Sequence, residues 1–119
     1  MKYRESEEMY LETILLLKKE NKKIRSIDIA NTLNYSRASV SRAINLLKER
    51  GFIIVSNSII DFTSEGLKRA NEIYERHEII TGVLEKIGVP KDVAEENACR
   101  IEHVIEGELL VYFKKFIEE

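Results

Sequence analysis

The 119 residues contain one cysteine, Cys99, so no disulfide closes within the chain; that thiol is free, an intermolecular link or a metal ligand. Long apolar runs are missing too. The run Ile14 to Leu17 falls far short of the roughly 20 residues that span a bilayer. The opening Met1-Lys-Tyr-Arg-Glu runs into an acidic stretch with no signal-peptide hydrophobic segment, so a cytoplasmic location is expected. Glycine is scarce, at 5 residues, and forms no substrate-shaped loop. No separate general base or oxyanion donor stands out either, so an enzyme is not expected. Disorder is excluded by a composition of 44% hydrophobic and 34% charged residues, ordinary for a folded domain.

What is present divides by charge. Residues 1–70 carry a net +4 and residues 71–119 a net −6, which suits a polyanion at one end and a cation at the other. The first helix is expected to start at Ser6 as its cap, with Tyr10, Ile14 and Leu17 as an apolar stripe. Met9 and Glu12 sit together on another face. Two helices joined by a tight turn follow. Ser26 is expected to cap the first, with Ile27, Ala30 and Leu33 inward; Asn34-Tyr35 turns, and Ser36 caps the second.

In that second helix Val40, Ala43, Ile44 and Leu47 form the buried stripe, which turns Ala38, Arg42 and Asn45 outward and leaves Arg37, Ser39 and Ser41 on the flanks. Small residues, hydroxyls, an amide and arginines at a helix N-terminus suit entry into a major groove, where Arg42 reads guanine and Ser36 and its neighbours reach phosphates or base edges. Gly51 ends the helix. Phe52–Val55 and Ile59–Phe62 then read as a hairpin across Ser56-Asn57-Ser58, whose tip lacks Lys or Arg, so light DNA contact is expected of it. Helix-turn-helix plus hairpin is a winged helix.

Thr63 is expected to cap a long helix to about Ile87 that joins the two halves, its apolar side running through Leu67, Ala70, Ile73, Ile80 and Leu84. His77 lies on that side, where a histidine is first read as a core residue. Gly88 stops this helix and Pro90 suits the first turn of the next. On that helix Cys99, Glu102 and His103 stand at i, i+3 and i+4, so a thiol, a carboxylate and an imidazole share one face. Ile101, Val104 and Ile105 supply an opposite, greasy face. The Cys-Glu-His face is either a metal site or the half-exposed edge of a core. Gly107 is expected to end this helix, and Glu108–Ile117 forms a last one whose Leu110, Phe113 and Ile117 pack on a partner chain.

Glu8-Met-Tyr-Leu-Glu-Thr-Ile14 and Ala98-Cys-Arg-Ile-Glu-His-Val104, in this order around a winged helix, resemble the diphtheria toxin repressor family of metal-dependent transcriptional regulators in its short form. The likeness spans about Ser6 to Phe116. It implies a mainly α fold: a winged helix-turn-helix DNA-binding domain at 1–70 and a helical dimerisation and metal-binding domain at 71–119. By match with the family's ligands, Met9, Cys99, Glu102 and His103 bind the activating metal, and His77 matches a further metal-binding histidine. Glu12 resembles the manganese-responsive branch, whereas Met9 and Cys99 resemble the iron-responsive one. Two ancillary ligand positions of the iron branch are Thr81 and Glu95 here, and the SH3-like domain of that branch is not expected.

Sulfur donors favour softer ions and Mn(II) lies at the weak end of the affinity order, so Fe(II) is expected first and Mn(II) next, with other divalent transition metals binding in vitro. The resemblance implies a homodimeric repressor of metal-uptake genes on a double-stranded operator with inverted repeats, with no membrane partner. A bound ion joining Met9 and Glu12 to the second domain's ligands would fix the spacing of two recognition helices. The alternative is a metal-independent, redox-sensing winged-helix regulator that switches at Cys99, its thiol activated by Arg100 and His103.

Overall fold

The computed structural model describes residues 3–20 and 23–119, with side chains from residue 7 onward. Its elements are α1 (Tyr3–Glu20), α2 (Ser26–Leu33), α3 (Arg37–Glu49), β1 (Ile53–Ser56), β2 (Ile59–Phe62), α4 (Ser64–Lys86), α5 (Lys91–Ile101) and α6 (Gly107–Glu118). They form two compact units, Met1–Asn71 and Glu72–Glu119, and the boundary falls within α4. No helix among the described residues is long and apolar enough to cross a membrane.

In the first unit, Leu11 and Ile14 of α1, Val40, Ile44 and Leu47 of α3, and Ile53 and Ile60 of the hairpin are buried, each contributing on the order of 1.5–3 kcal/mol by leaving water. The buried phase of α3 is as expected, with Val40, Ile44 and Leu47 inward, and Ser36 caps α3 by accepting the Ser39 N–H at 3.1 Å. Asn34 closes α2 in the left-handed conformation, at φ 58°. β1 and β2 pair antiparallel through a two-residue loop, Asn57-Ser58, with φ 52° and 66°. Two positive φ values give the loop the twist that a right-handed hairpin needs. The Ile60 N–H donates to the Ile24 carbonyl at 2.8 Å, which brings the chain before α2 against the hairpin. Lys18 of α1 meets Asp61 of β2 at 2.8 Å and, by its hydrogen bond, holds that carboxyl below the usual range.

Three expectations in this unit fail. α1 begins at Tyr3, so Ser6 lies inside the helix rather than capping it, and its side chain is outside the described ones. α2 is capped at Arg25, whose N–H is accepted by the Asp28 carboxylate at 2.8 Å, and Ser26 is already helical. Within α2 Ala30 is buried as expected, but Ile29 is buried with it and Ile27 is exposed. With Ile27, Ile29, Ala30 and Leu33 spread around an eight-residue helix, spacing alone does not fix its phase.

Thr63 caps α4 as expected, accepting the Gly66 N–H at 3.0 Å, but Leu67 is exposed. Ile73 and Ile80 of α4 are buried, and α5 buries Ala94, Ala98 and then Glu102. Val104 is exposed, so the greasy side expected of α5 is not its inner side. α5 also ends earlier than expected: Glu102 is its C-cap, still in helical conformation, His103 lies in the following turn, and Gly107 opens α6. On α6, Ile117 lies against Gly82 of α4, where an added Cβ would come within 2.9 Å of its Cδ1. Lys86 donates to the Phe116 carbonyl. Leu110, Phe113 and Ile117 are half-buried, and the exposed apolar face is Leu109, Tyr112 and Phe116.

Candidate metal centre and DNA-reading helix

In the second unit the donor set gathers around Glu102. Helical dihedrals at the C-cap keep Glu102 one turn beyond Cys99, and α4 brings His77 to the same place. One donor atom from each of His77, Cys99 and Glu102 lies within 4.8 Å of the others. Glu102 Oε2 is 3.2 Å from His77 Nδ1, and Oε1 is 3.4 Å from His103 Nε2. The carboxylate is fully buried, yet neither oxygen accepts a hydrogen bond of ordinary geometry from the described residues. A carboxylate held out of water costs several kcal/mol unless a cation or strong donors compensate it. The donor set therefore fits a divalent cation: a dry anionic oxygen beside two imidazoles, with the thiol of exposed Cys99 at the rim. Arg76, which the sequence did not single out, donates to the Glu102 carbonyl at 3.1 Å and steadies the C-cap.

Met9 and Glu12 lie in the first unit, one turn apart on α1, Met9 half-buried and Glu12 buried. The Met9 sulfur accepts the Tyr35 hydroxyl at 3.8 Å. On either side of Met9, buried Glu8 pairs with Arg69 at 2.8 Å and burial raises the Tyr10 phenol, so Tyr10 stays protonated. Of the ancillary positions, Thr81 is buried and Glu95 is exposed.

On α3, Arg37, Ala38, Ser41, Arg42 and Asn45 are exposed and Ser39 is half-buried. Arg42 Nη2 lies 3.4 Å from Ser39 Oγ, which itself is 3.0 Å from Ser36 Oγ, so the first turn presents an ordered run of hydroxyls ending in a guanidinium. A cleft of about 430 Å³ between α3 and the wing is lined by Arg25 and Lys48 beside Ser41 and Asn45. These two cations flank the exposed polar face of α3 and carried no sequence signal of their own.

A winged helix followed by a helical unit with a buried carboxylate among imidazole and thiol donors defines a metal-responsive DNA-binding regulator. Comparison with known proteins gives the family. The model of the iron-dependent repressor N-terminal DNA-binding domain matches residues 2–58, and that of the iron-dependent repressor metal-binding and dimerisation domain matches residues 63–119. The chain belongs to the iron-dependent repressor family of metal-dependent, DNA-binding transcriptional regulators, which are not enzymes. It is 32% identical to an uncharacterised helix-turn-helix transcriptional regulator of Methanocaldococcus jannaschii, over 97% of this chain and 94% of that protein. It is also 32% identical to the transcriptional regulator MntR of Escherichia coli, over 92% of this chain and 72% of that protein. The crystal structure of T. acidophilum IdeR superposes with a TM-score of 0.85 at 26% identity, covering 94% of this chain and 54% of that one. The metal-free redox switch at Cys99 is not favoured by this membership.

Proposed function

We propose that the chain represses metal-uptake genes when iron or manganese is plentiful, acting in the cytoplasm as a homodimer on an inverted-repeat operator. The buried Glu102 carboxylate, with His77 and Cys99 donor atoms within 4.8 Å, is the observation that carries this reading. The proposed ligands are Met9, Glu12, His77, Cys99, Glu102 and His103. These residues would hold a divalent cation, which would supply positive charge beside the buried Glu102 carboxylate. Glu102 is the anionic anchor, His77 and His103 give neutral nitrogens, and Met9 and Cys99 add soft sulfur, which places Fe(II) ahead of Mn(II). Members of the family bind DNA as dimers, and the Leu109, Tyr112 and Phe116 face of α6 is the apolar surface offered to a second copy.

Ligation at Met9 and Glu12 would fix the position of α1, which shares the first unit with α3. Metal therefore raises DNA affinity and, by linkage, DNA raises metal affinity. Ser36, Arg37, Ala38, Ser39, Ser41, Arg42 and Asn45 form the reading set, and Arg25 and Lys48 take phosphates. Arg42→Ala is expected to lower operator affinity by about 1–3 kcal/mol, the worth of a bidentate guanine contact, with little change in affinity for random DNA. An operator titration beside a random-sequence one measures both, and equal losses on the two would assign Arg42 to the backbone. Met9→Asp replaces a thioether with a carboxylate and is expected to move preference from Fe(II) toward Mn(II) without abolishing activation. DNA affinity measured anaerobically against each free ion tests this; an unaltered ratio of the two would remove Met9 from the ligands.

A further inference from the structure

One turn of α1 touches both ends of the recognition helix. At the C-terminal end, Glu7 Oε2 lies 2.9 Å from Nε of Arg50, the C-cap of α3, and the Glu7 side chain is only 6% exposed. The same guanidinium stands 5.8 Å from the centre of the Phe52 ring, which carries the contact into the start of the hairpin. At the N-terminal end, Tyr35 immediately precedes the Ser36 cap. Its hydroxyl donates to Met9 Sδ at 3.8 Å, and its ring packs on Tyr10 with centroids 6.2 Å apart. Between these end contacts, on the side of α3 that bears Ser39, Arg42 and Leu46, a cavity of about 570 Å³ opens toward Glu7 and Tyr10. Along that side the pose of α3 against α1 is therefore set at the two ends.

We infer that the turn Glu7–Tyr10 is a two-point brace that transmits the state of Met9 to the recognition helix, with Tyr35, Glu7 and Arg50 as positioning residues for metal-dependent DNA binding. The inference rests on the reading of Met9 as a ligand. A thioether sulfur has two lone pairs. Accepting the Tyr35 proton on one orients the other, so the rotamer that ligates is also the rotamer that holds the turn before α3. Glu7 is buried while the Arg50 guanidinium is half-exposed, and their pair acts as the fixed point about which that turn is set. A shift at Met9 is then felt at the N-terminal turn of α3, where Ser36, Ser39 and Arg42 lie.

The test uses the full-length protein and reads the ratio of DNA affinities with and without saturating Mn(II). Beside it, the Met9 methyl resonance is followed in protein labelled with [13C-methyl]methionine, which has only Met1 and Met9 to show. Tyr35→Phe and Glu7→Gln are each expected to cut the ratio by about 3- to 10-fold, a sizeable part of an ordinary allosteric coupling. Tyr35→Phe also moves the Met9 methyl signal in the metal-free protein. The reversed pair Glu7→Arg with Arg50→Glu regains most of the ratio. A purely structural role would weaken DNA binding equally in both states, so an unmoved ratio in Tyr35→Phe and Glu7→Gln overturns the brace, as does a reversed pair no better than Glu7→Gln. Met9→Leu separates the two readings. If it leaves Mn(II) affinity at the wild-type value, Met9 is not a ligand and the brace falls with that reading; if it weakens Mn(II) affinity while Tyr35→Phe leaves the ratio intact, the brace alone fails.

Discussion

Glu102→Gln should lose metal binding by well over 100-fold while the metal-free protein stays folded and at least as stable as the wild type. Even the outer partners of metal ligands are worth about 10–100-fold in affinity, so loss of a charged ligand exceeds that. The stability half of the expectation is the discriminating one. Glu102 is fully buried, and its oxygens sit 3.2 and 3.4 Å from ring nitrogens without accepting well-formed hydrogen bonds. A carboxylate kept for structural pairing would cost about 3–5 kcal/mol when the pair is broken. One kept for a cation leaves the metal-free state relieved of a buried charge when it becomes an amide of the same size. Thermal melts in chelator, beside equilibrium dialysis of Mn(II), measure both. A large drop in the metal-free melting temperature with metal affinity intact would mark Glu102 as a structural ion-pair residue.

Gly66→Ala should destabilise the protein by about 3 kcal/mol or more, the largest effect expected of any single methyl group here. The added Cβ would stand 1.8 Å from the Phe52 carbonyl oxygen and 2.7 Å from its carbon. Both are backbone atoms, so no side chain can swing aside. Relief requires the first turn of α4 to move away from the start of the hairpin, which breaks the Thr63 N–H bond to the Phe52 carbonyl at 3.0 Å and the Thr63 hydroxyl bond to the Gly51 carbonyl at 2.6 Å. Gly107→Ala is the matched control. No atom lies within 4 Å of its added Cβ, and position 107 is the first of α6, so stability should hold or rise by a few tenths of a kcal/mol. Denaturant midpoints of the two variants are the measurement, and equal midpoints would refute the close approach at Gly66.

The parts of the fold that were legible are those set by local chemistry. Ser36 caps α3 because its hydroxyl can reach an amide three residues on, and Asn57-Ser58 makes the hairpin because short polar residues tolerate positive φ. Those contacts are written within a few residues. The inner face of α5 was illegible for the opposite reason. It is built from Ala94, Ala98 and a glutamate, while the more hydrophobic Val104 is exposed, so hydropathy pointed to the wrong side. Cysteine is among the most buried residue types, yet Cys99 is exposed, as a ligand at the rim of a site can be. The residues that steady the site and the reading helix were invisible altogether. Arg76 reaches Glu102 across 26 positions, Arg69 reaches Glu8 across 61, and no periodicity within a helix encodes a contact between helices.

Coupled binding of metal and DNA to one protein is what the proposed function requires. It is tested most directly by titrating the wild-type protein onto an operator selected from random DNA in the presence of Mn(II), first in chelator and then at rising free Mn(II) or, anaerobically, Fe(II). The account predicts that Kd for the operator falls by about 5- to 150-fold at saturating metal, the span of an ordinary coupling free energy, and returns when chelator is added back. An operator Kd that is the same in chelator and in saturating metal would contradict it.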